Sequence, residues 1–202
     1  VKTTTCVYFP VDREYGYSVF SAVFYAEFLN KKLNVIDCPG SDDFVGNAVT
    51  ALNVTDTGVI LIDGQYGVEV GTQNIFRTCE QLKKPIILDG EKADFDNSLL
   101  QLKEHYGSKV VPIQFPINCG PSFNSMIDVL LMKQYTWGPD GGVPTITEIP
   151  EEYKEKALEW HQALVEAAAE NDEGLMDKFF EQGALTEDEL RLGIRKGLID
   201  RG

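Results

Sequence analysis

The sequence predicts an α/β fold with a mainly parallel sheet, followed by a mostly helical second half. Two observations carry this prediction. Over the first 115 residues, short apolar runs alternate with helix-like segments, which is the pattern of strands joined by helices. After about residue 116, long segments place apolar residues at helical spacing instead. We therefore divide the chain into residues 1–115 and residues 116–202.

The elements of the first half alternate in kind along the chain. Apolar runs at 18–28 and 33–36 flank a polar turn and predict a β-hairpin. Periodicity then predicts helices over 44–53, 72–83 and 95–106, alternating with strands over 58–62, 85–88 and 109–113. The run at 58–62 is apolar throughout, so we expect a central strand covered on both faces.

The second half is predicted to be built mainly from three helices. Pro150 precedes a long helix over 151–171, and two shorter helices follow. The last helix opens with Thr186 and Glu189, which have the spacing of a capping box, in which each side chain bonds the backbone of the other residue.

The two halves also differ in charge, because the acidic residues are concentrated in the second half. The net charge is −14, and residues 148–190 contain 14 acidic residues against three basic ones. Such a chain lacks the lysine and arginine needed to grip a phosphate backbone, so contacts with nucleic acid are expected to be local only. Two interpretations of the acidic helices remain open: a solvated face, or a docking face for a basic protein.

Neither a membrane segment nor a disulfide framework is indicated. No apolar run approaches the roughly 20 residues of a membrane helix, and the first residues lack the features of a signal peptide. The four cysteines are scattered, with no C-x-x-C pair, so a zinc site is not indicated either. We expect a cytoplasmic protein with reduced thiols.

The segment 37–44, DCPGSDDF, carries the clearest chemical signal. An acid after a buried strand can hold Mg²⁺ through water, and a glycine lets the backbone amide approach a phosphate. An ordinary strand-to-helix turn capped by Ser41 or Asp42 would use the same residue types. The residues alone leave both interpretations open.

A family resemblance favours the nucleotide interpretation. DCPGSDDF resembles the switch II segment of translational GTPases, whose pattern is Asp-x-Pro-Gly-His followed by an acid and Phe. ALNVTDTGVILIDGQYGVEVGTQNIFR is similar to the following helix, strand and loop of elongation factor G. EWHQALVEAAAENDEGLMDKFFEQGALTEDELRLGIRKGL resembles the helical insert of its GTPase domain, and REYGYSV lies where its switch I carries Arg-Gly-Ile-Thr-Ile. The sequence is thus identified as elongation factor G-like.

The resemblance implies a P-loop-NTPase-like three-layer α/β sheet with an inserted, mostly helical subdomain. It also implies GTP and Mg²⁺ as ligands. Asp37 corresponds to the magnesium-linked acid, Gly40 to the γ-phosphate sensor, and Ser18 to the switch I threonine whose hydroxyl binds Mg²⁺. Asp89 corresponds to the last acid of the guanine-reading Asn-Lys-x-Asp motif. Ser41 stands where the family has the histidine that orients the attacking water, so we expect impaired hydrolysis.

Two further departures concern the nucleotide site. Lys2-Thr3-Thr4 is similar to the end of a P-loop, but no glycines precede it, and we expect the chain to be a fragment that begins after that loop. Tyr15 replaces the arginine of the family's switch I.

The function implied is that of a GTP-dependent factor that acts on the ribosome and promotes translocation. Its acidic insert would face the basic ribosomal stalk proteins. Three alternatives stay open: a ribosome-binding module that uses GTP as a conformational ligand with little hydrolysis, a ribosome-protection relative, and an α/β domain without a nucleotide site.

Overall fold

The computed structural model describes residues 9–63, 66–91 and 94–200, without the side chains of residues 89–91, Pro121 and Asp200. It divides into two compact units. One comprises Val1–Ile60 with Glu69–Ile87, and the other comprises Leu61–Val68 with Leu88–Gly202. These units are defined by contacts, and the division at residue 115 stays a prediction.

The first unit begins with a helix and a β-hairpin. Its elements are α1 (Pro10–Tyr15), β1 (Ala22–Phe28), β2 (Lys31–Asp37), α2 (Val45–Val54), the start of β3 (Gly58–Asp63), α3 (Val70–Gln81) and the start of β4 (Ile86–Glu91). β1 and β2 pair antiparallel, which confirms the predicted hairpin. The turn residues Leu29 and Asn30 have φ of 48° and 58°, as a tight hairpin turn requires.

α2, α3 and β3 pack closely in this unit. Leu52, Ile60 and Cys79 are buried. A Cβ built on Gly58 would lie 3.0 Å from the Cys79 Sγ and 3.2 Å from a Leu52 methyl carbon. The Gly58 amide donates to the Pro85 carbonyl at 2.9 Å, next to the pairing of β3 with β4. The glycine therefore allows the strand to approach both helices.

The prediction that both faces of β3 are covered is wrong for the described residues. Ile60 and Ile62 are 7% and 2% exposed, whereas Val59 and Leu61 are 60% and 64% exposed. Because successive strand residues point to opposite faces, only one face of the strand is covered.

The second unit contains an antiparallel sheet that the sequence analysis does not predict. Its helices are α4 (Phe95–Tyr106), α5 (Glu151–Ala169), α6 (Glu173–Gln182) and α7 (Glu187–Asp200). Its sheet has the order β5 (Gln114–Pro116), β6 (Ser125–Asp128), β7 (Lys133–Gly138) and β8 (Gly141–Thr147). The predicted strand at 109–113 is also wrong, because β5 starts only at Gln114. Pro112 lies within the predicted strand and has no amide to donate to a ladder.

An aromatic core joins this sheet to α5. The Phe115 and Trp160 rings meet edge to face, with centroids 4.9 Å apart, and both side chains are buried. Lys156 stacks on the Trp160 ring at 4.7 Å and pairs with Asp96 at 2.7 Å, so α4 is tied to the same cluster. No helix in the described ranges is both long enough and apolar enough to cross a bilayer.

Helix capping in this unit follows the sequence. Asp172 accepts the Leu175 amide at 3.0 Å and caps α6. At α7, the Glu189 amide donates to the Thr186 hydroxyl at 3.4 Å, and the Thr186 amide donates to the Glu189 carboxylate at 3.0 Å. The predicted capping box is confirmed.

Candidate functional site

The predicted Mg²⁺- and phosphate-binding residues Asp37 and Gly40 lie at the end of β2 and just beyond it. The strand ends at Asp37, which pairs with Ala22 at the open end of the hairpin. Pro39 is buried and anchors the segment, whereas Gly40 is exposed. A Cβ built on Gly40 would meet no atom of the described residues within 4 Å. The space above this glycine is therefore open to a ligand.

The side chain of Asp37 is available for a ligand. It is half-buried and makes no hydrogen bond or ion pair with the described residues. The described ranges contain no group of three or more acids, histidines or cysteines that could hold a metal ion. Mg²⁺ needs only one or two carboxylates when phosphate oxygens and waters complete its shell. The donors present therefore fit a Mg²⁺ ion that is carried by a nucleotide.

Ser41 does not serve as a helix cap. It precedes a short 3-10 helix at Asp42–Phe44, and its carbonyl accepts the Phe44 amide at 2.9 Å. Its hydroxyl makes no capping bond, and α2 likewise starts without a side-chain cap. The expected side-chain cap by Ser41 or Asp42 is therefore wrong, whereas the segment does form a strand-to-helix turn between β2 and α2.

Ser18 lies half-buried in the loop between α1 and β1. The loop starts at Gly16, whose φ of +78° ends the helix in the left-handed conformation that favours glycine. Tyr15, which the resemblance aligns with an arginine, is 59% exposed, and its ring centroid is 5.8 Å from that of Tyr17.

This loop lies beside the segment that follows β2. The Ser21 hydroxyl lies 3.5 Å from the Cys38 Sγ, and the Tyr17 and Phe44 ring centroids are 6.4 Å apart. The structure thus brings the segment of Ser18 next to the segment of Asp37 and Gly40. The roles of these residues stay predictions.

A cavity of ≈ 470 Å³ lies between the hairpin and α2. Ser21 and Ile36 line it from the hairpin side, and Asn47 and Thr50 line it from α2. These residues belong to none of the motifs described above. The available signal was the presence of Asn47 and Thr50 in a helix that is otherwise rich in apolar residues.

Two of the predicted nucleotide-binding elements lie at least partly outside the described residues. Asp89 belongs to β4, and its side chain lies outside the described residues. Lys2-Thr3-Thr4, the P-loop-like stretch, also lies outside them. The guanine-binding role of Asp89 stays a prediction.

The perturbed carboxylates lie in the helical unit, away from these segments in the sequence. A hydrogen bond from Lys178, with others from Thr186, lowers the pKa of Glu189 to about 2. Hydrogen bonds from the Lys196 side chain and the Leu175 amide lower the pKa of Asp172. Both groups cap a helix and pair with a lysine, so their shifted pKa values are explained by structure rather than by catalysis.

Comparison with known proteins identifies the class of the chain. Residues 2–186 match the sequence model of the family described as the elongation factor Tu GTP binding domain. The match covers most of the chain, so the chain belongs to this family of GTP-binding elongation factor domains.

A solved structure shows to which kind of protein in this family the chain is similar. A crystal structure of a protein from Thermus thermophilus matches 98% of this chain with a TM-score of 0.88 and 28% sequence identity. The match covers 30% of the length of that protein. Together the two comparisons confirm the predicted P-loop-NTPase-like α/β fold and the likeness to elongation factor G-like translational GTPases.

Proposed function

We propose that this chain is the GTP-binding domain of an elongation factor G-like translation factor that acts on the cytoplasmic ribosome in translocation. In this proposal Ser18 and Asp37 hold the Mg²⁺ of bound GTP, and the Gly40 amide contacts the terminal phosphate. Asp89 contacts the guanine base. The observation that carries the proposal is that, among the described residues, the Asp37 carboxylate has no partner and the space at Gly40 is open, beside the loop of Ser18.

Each residue has a distinct task in this proposal. The Asp37 carboxylate would bind a water of the Mg²⁺ shell, and the Ser18 hydroxyl would bind the ion directly. The Gly40 amide would donate to a γ-phosphate oxygen, which GDP lacks. Mg²⁺ would supply charge stabilisation for the phosphates. GTP would then stabilise the one arrangement in which both segments contact it.

Hydrolysis depends on a group that orients the attacking water. Ser41 is exposed, uses its hydroxyl for no capping bond and has no imidazole. Phosphoryl transfer by positioning loses rate when such a group is absent, whereas nucleotide binding is retained. This observation favours a second candidate function, in which GTP is a conformational ligand that is hydrolysed little or not at all.

The experiment compares the full-length wild type with Ser41→His. GTP binding is measured by titration calorimetry, and ribosome-stimulated phosphate release is measured in parallel. Ser108→His, at another exposed serine, is the matched control.

The result of this comparison separates the two functions. Tight GTP binding with negligible release, increased by Ser41→His and not by Ser108→His, supports the conformational role. Rapid release from the wild type supports a translocating GTPase. Absence of GTP binding in the wild type would refute the whole proposal.

The acidic helices suggest where a basic partner binds. On α5 the exposed residues Glu152, Glu155, Glu159 and Glu166 recur at steps of three, four and seven, so they share one face. Like charges at these spacings destabilise an isolated helix. A basic partner would offset that repulsion, and we propose the basic ribosomal stalk proteins for this role. Contacts with ribosomal RNA stay local in this proposal.

A charge reversal tests the docking face. Glu155→Lys with Glu159→Lys should weaken ribosome binding, and the loss should shrink as salt is raised, because the interaction is between surface charges. Glu104→Lys, on the exposed side of α4, is the control. Equal ribosome binding by the double variant and the wild type at low salt would refute the docking face.

A further inference from the structure

Asp12 lies in α1, and its carboxylate is buried. The burial of this charged group needs an explanation. Asp12 is 0% exposed, and its Oδ1 accepts the Val19 amide at 2.8 Å. Its Oδ2 is also buried and has no hydrogen-bond partner in the described part of the chain. Removing a carboxylate from water costs free energy unless hydrogen bonds compensate, and the bond from Val19 is the compensation that the described residues provide.

Asp12 holds the loop of Ser18 at both ends. At the start of the loop, the Gly16 amide donates to the Asp12 carbonyl at 2.9 Å. At its end, the Val19 amide donates to the Asp12 carboxylate. Ser18 lies between these two anchor points and is the residue whose carbonyl forms the peptide bond to Val19.

Asn47 contacts the next peptide group, through the carbonyl of the same residue, Val19. Its Nδ2 donates to the Val19 carbonyl at 3.5 Å and to the Phe44 carbonyl at 3.3 Å. Phe44 closes the 3-10 helix that follows Gly40, and Asn47 lies in the first turn of α2. Asn47 therefore joins the loop of Ser18 to the segment that carries Asp37 and Gly40.

We propose that Asp12 and Asn47 are positioning residues that fix Val19 and thereby place the Ser18 hydroxyl for Mg²⁺ bound to GTP. This inference rests on the proposed function of Ser18. Neither residue contacts the ion. Partners in this outer position orient the groups that bind a metal, and their loss typically weakens metal binding by about 10- to 100-fold.

The test measures GTP binding by the full-length protein as Mg²⁺ is varied, for the wild type, Asp12→Asn and Asn47→Ala. Asp56→Asn is the matched control, since Asp56 is exposed and lies in the same unit. A second readout is hydrogen exchange of the amides of residues 16–21 in the nucleotide-free protein, which reports the loop without any bound ligand.

The expected result has three parts. Asp12→Asn and Asn47→Ala raise the Mg²⁺ concentration needed for half-maximal GTP binding by about 10-fold or more. They leave the weak binding of GTP in EDTA unchanged, which a general loss of folding would not do. They also speed amide exchange in the loop, whereas Asp56→Asn matches the wild type in every measurement.

Two failures are distinguishable. If the wild type binds Mg²⁺-GTP and both variants show the same Mg²⁺ dependence, the inference is wrong and the proposed function stands. If the wild type shows no Mg²⁺-dependent GTP binding, the proposed function is wrong and the inference is lost with it. Should Asp12→Asn fail to fold, Asn47→Ala tests the anchoring of the same residue, Val19, at its carbonyl.

Discussion

The contact between α7 and α5 gives a prediction whose size can be worked from distances. A Cβ built on Gly193 would lie 2.5 Å from the Ala168 carbonyl oxygen and 2.9 Å from the Ala168 Cβ. Ordinary van der Waals contact begins at 3.4 Å. In Gly193→Ala the two helices must therefore separate by roughly 0.9 Å, because backbone atoms cannot swing away as a side chain can.

The net effect follows from two opposing contributions. Overpacking of this kind costs about 1–3 kcal/mol, and the higher helix propensity of alanine returns about 1 kcal/mol. Separation would also strain the hydrogen bond from the Asn171 amide to the Gly193 carbonyl, which is 3.2 Å long. We expect Gly193→Ala to lower the free energy of unfolding by about 1–2 kcal/mol, which is a fall in Tm of roughly 2–8 °C for a chain of this size.

Gly197→Ala is the matched control on the same helix. Its new Cβ would meet the Asn171 side-chain amide at 2.4 Å, and that group can rotate away. The hydrogen bonds lost by Asn171 and the helix propensity gained nearly cancel, so we expect a change within about 0.5 kcal/mol. Urea unfolding followed by tryptophan fluorescence reports this unit, since Trp137 and Trp160 both lie in it. Gly193→Ala at least as stable as Gly197→Ala would refute the close approach of the helices.

Lys178→Met should return the pKa of Glu189 from about 2 toward its usual value of 4.5, because the largest cause of the shift is the hydrogen bond from Lys178. A lowered pKa stabilises the fold above pH 4.5, and that contribution is lost as pH falls toward 2, so the acid-side loss of stability should shrink in the variant. Carboxyl NMR titration should show the midpoint of Glu189 rising. An unchanged midpoint would contradict the pairing. Burial raises the pKa of the Cys79 thiol, which is 0% exposed, whereas Cys119 is exposed. Thiol labelling with Ellman's reagent at pH 8 should therefore lose a fast phase in Cys119→Ser and retain it in Cys79→Ser, and the reverse pattern would show that Cys79 is accessible.

Local signals account for the elements that the sequence predicts well. The helix at Phe95–Tyr106 and the capping box at Thr186 and Glu189 depend on residues within a few positions of each other. The motif at Asp37 and Gly40 is local as well, so its place after a strand is predictable. The position of the motif does not reveal which ligand it binds.

The missed sheet shows where local signals fail. β8 contains Pro144, which argues against a strand when the sequence is read alone. The structure places β8 at the edge of its sheet, paired only with β7. An edge strand needs hydrogen bonds on one side only, so a proline is tolerated there. Position in a sheet is a tertiary property, and periodicity does not reveal it.

The same limit applies to the candidate site. The bond from Val19 to Asp12 spans seven residues, and the one from Asn47 to Val19 spans 28. No spacing rule predicts such pairs, because they form only after the loop has packed against α2. β3 shows the complementary limit, since its apolar run does not reveal that Val59 and Leu61 are exposed in the described chain.

The most direct test of the nucleotide site is the affinity of Gly40→Ala for GTP and for GDP. Because a Cβ at this position meets no described atom within 4 Å and Gly40 has no positive φ, the substitution should leave folding unchanged. Gly46→Ala, also open to solvent, is the control. With Mg²⁺ present, we expect Gly40→Ala to bind GDP like the wild type and GTP about 10-fold or more weakly, since the added methyl group would keep the γ-phosphate from reaching the amide of residue 40 and so prevent a hydrogen bond to a charged group. Equal GTP affinity in Gly40→Ala and the wild type would contradict the proposed site.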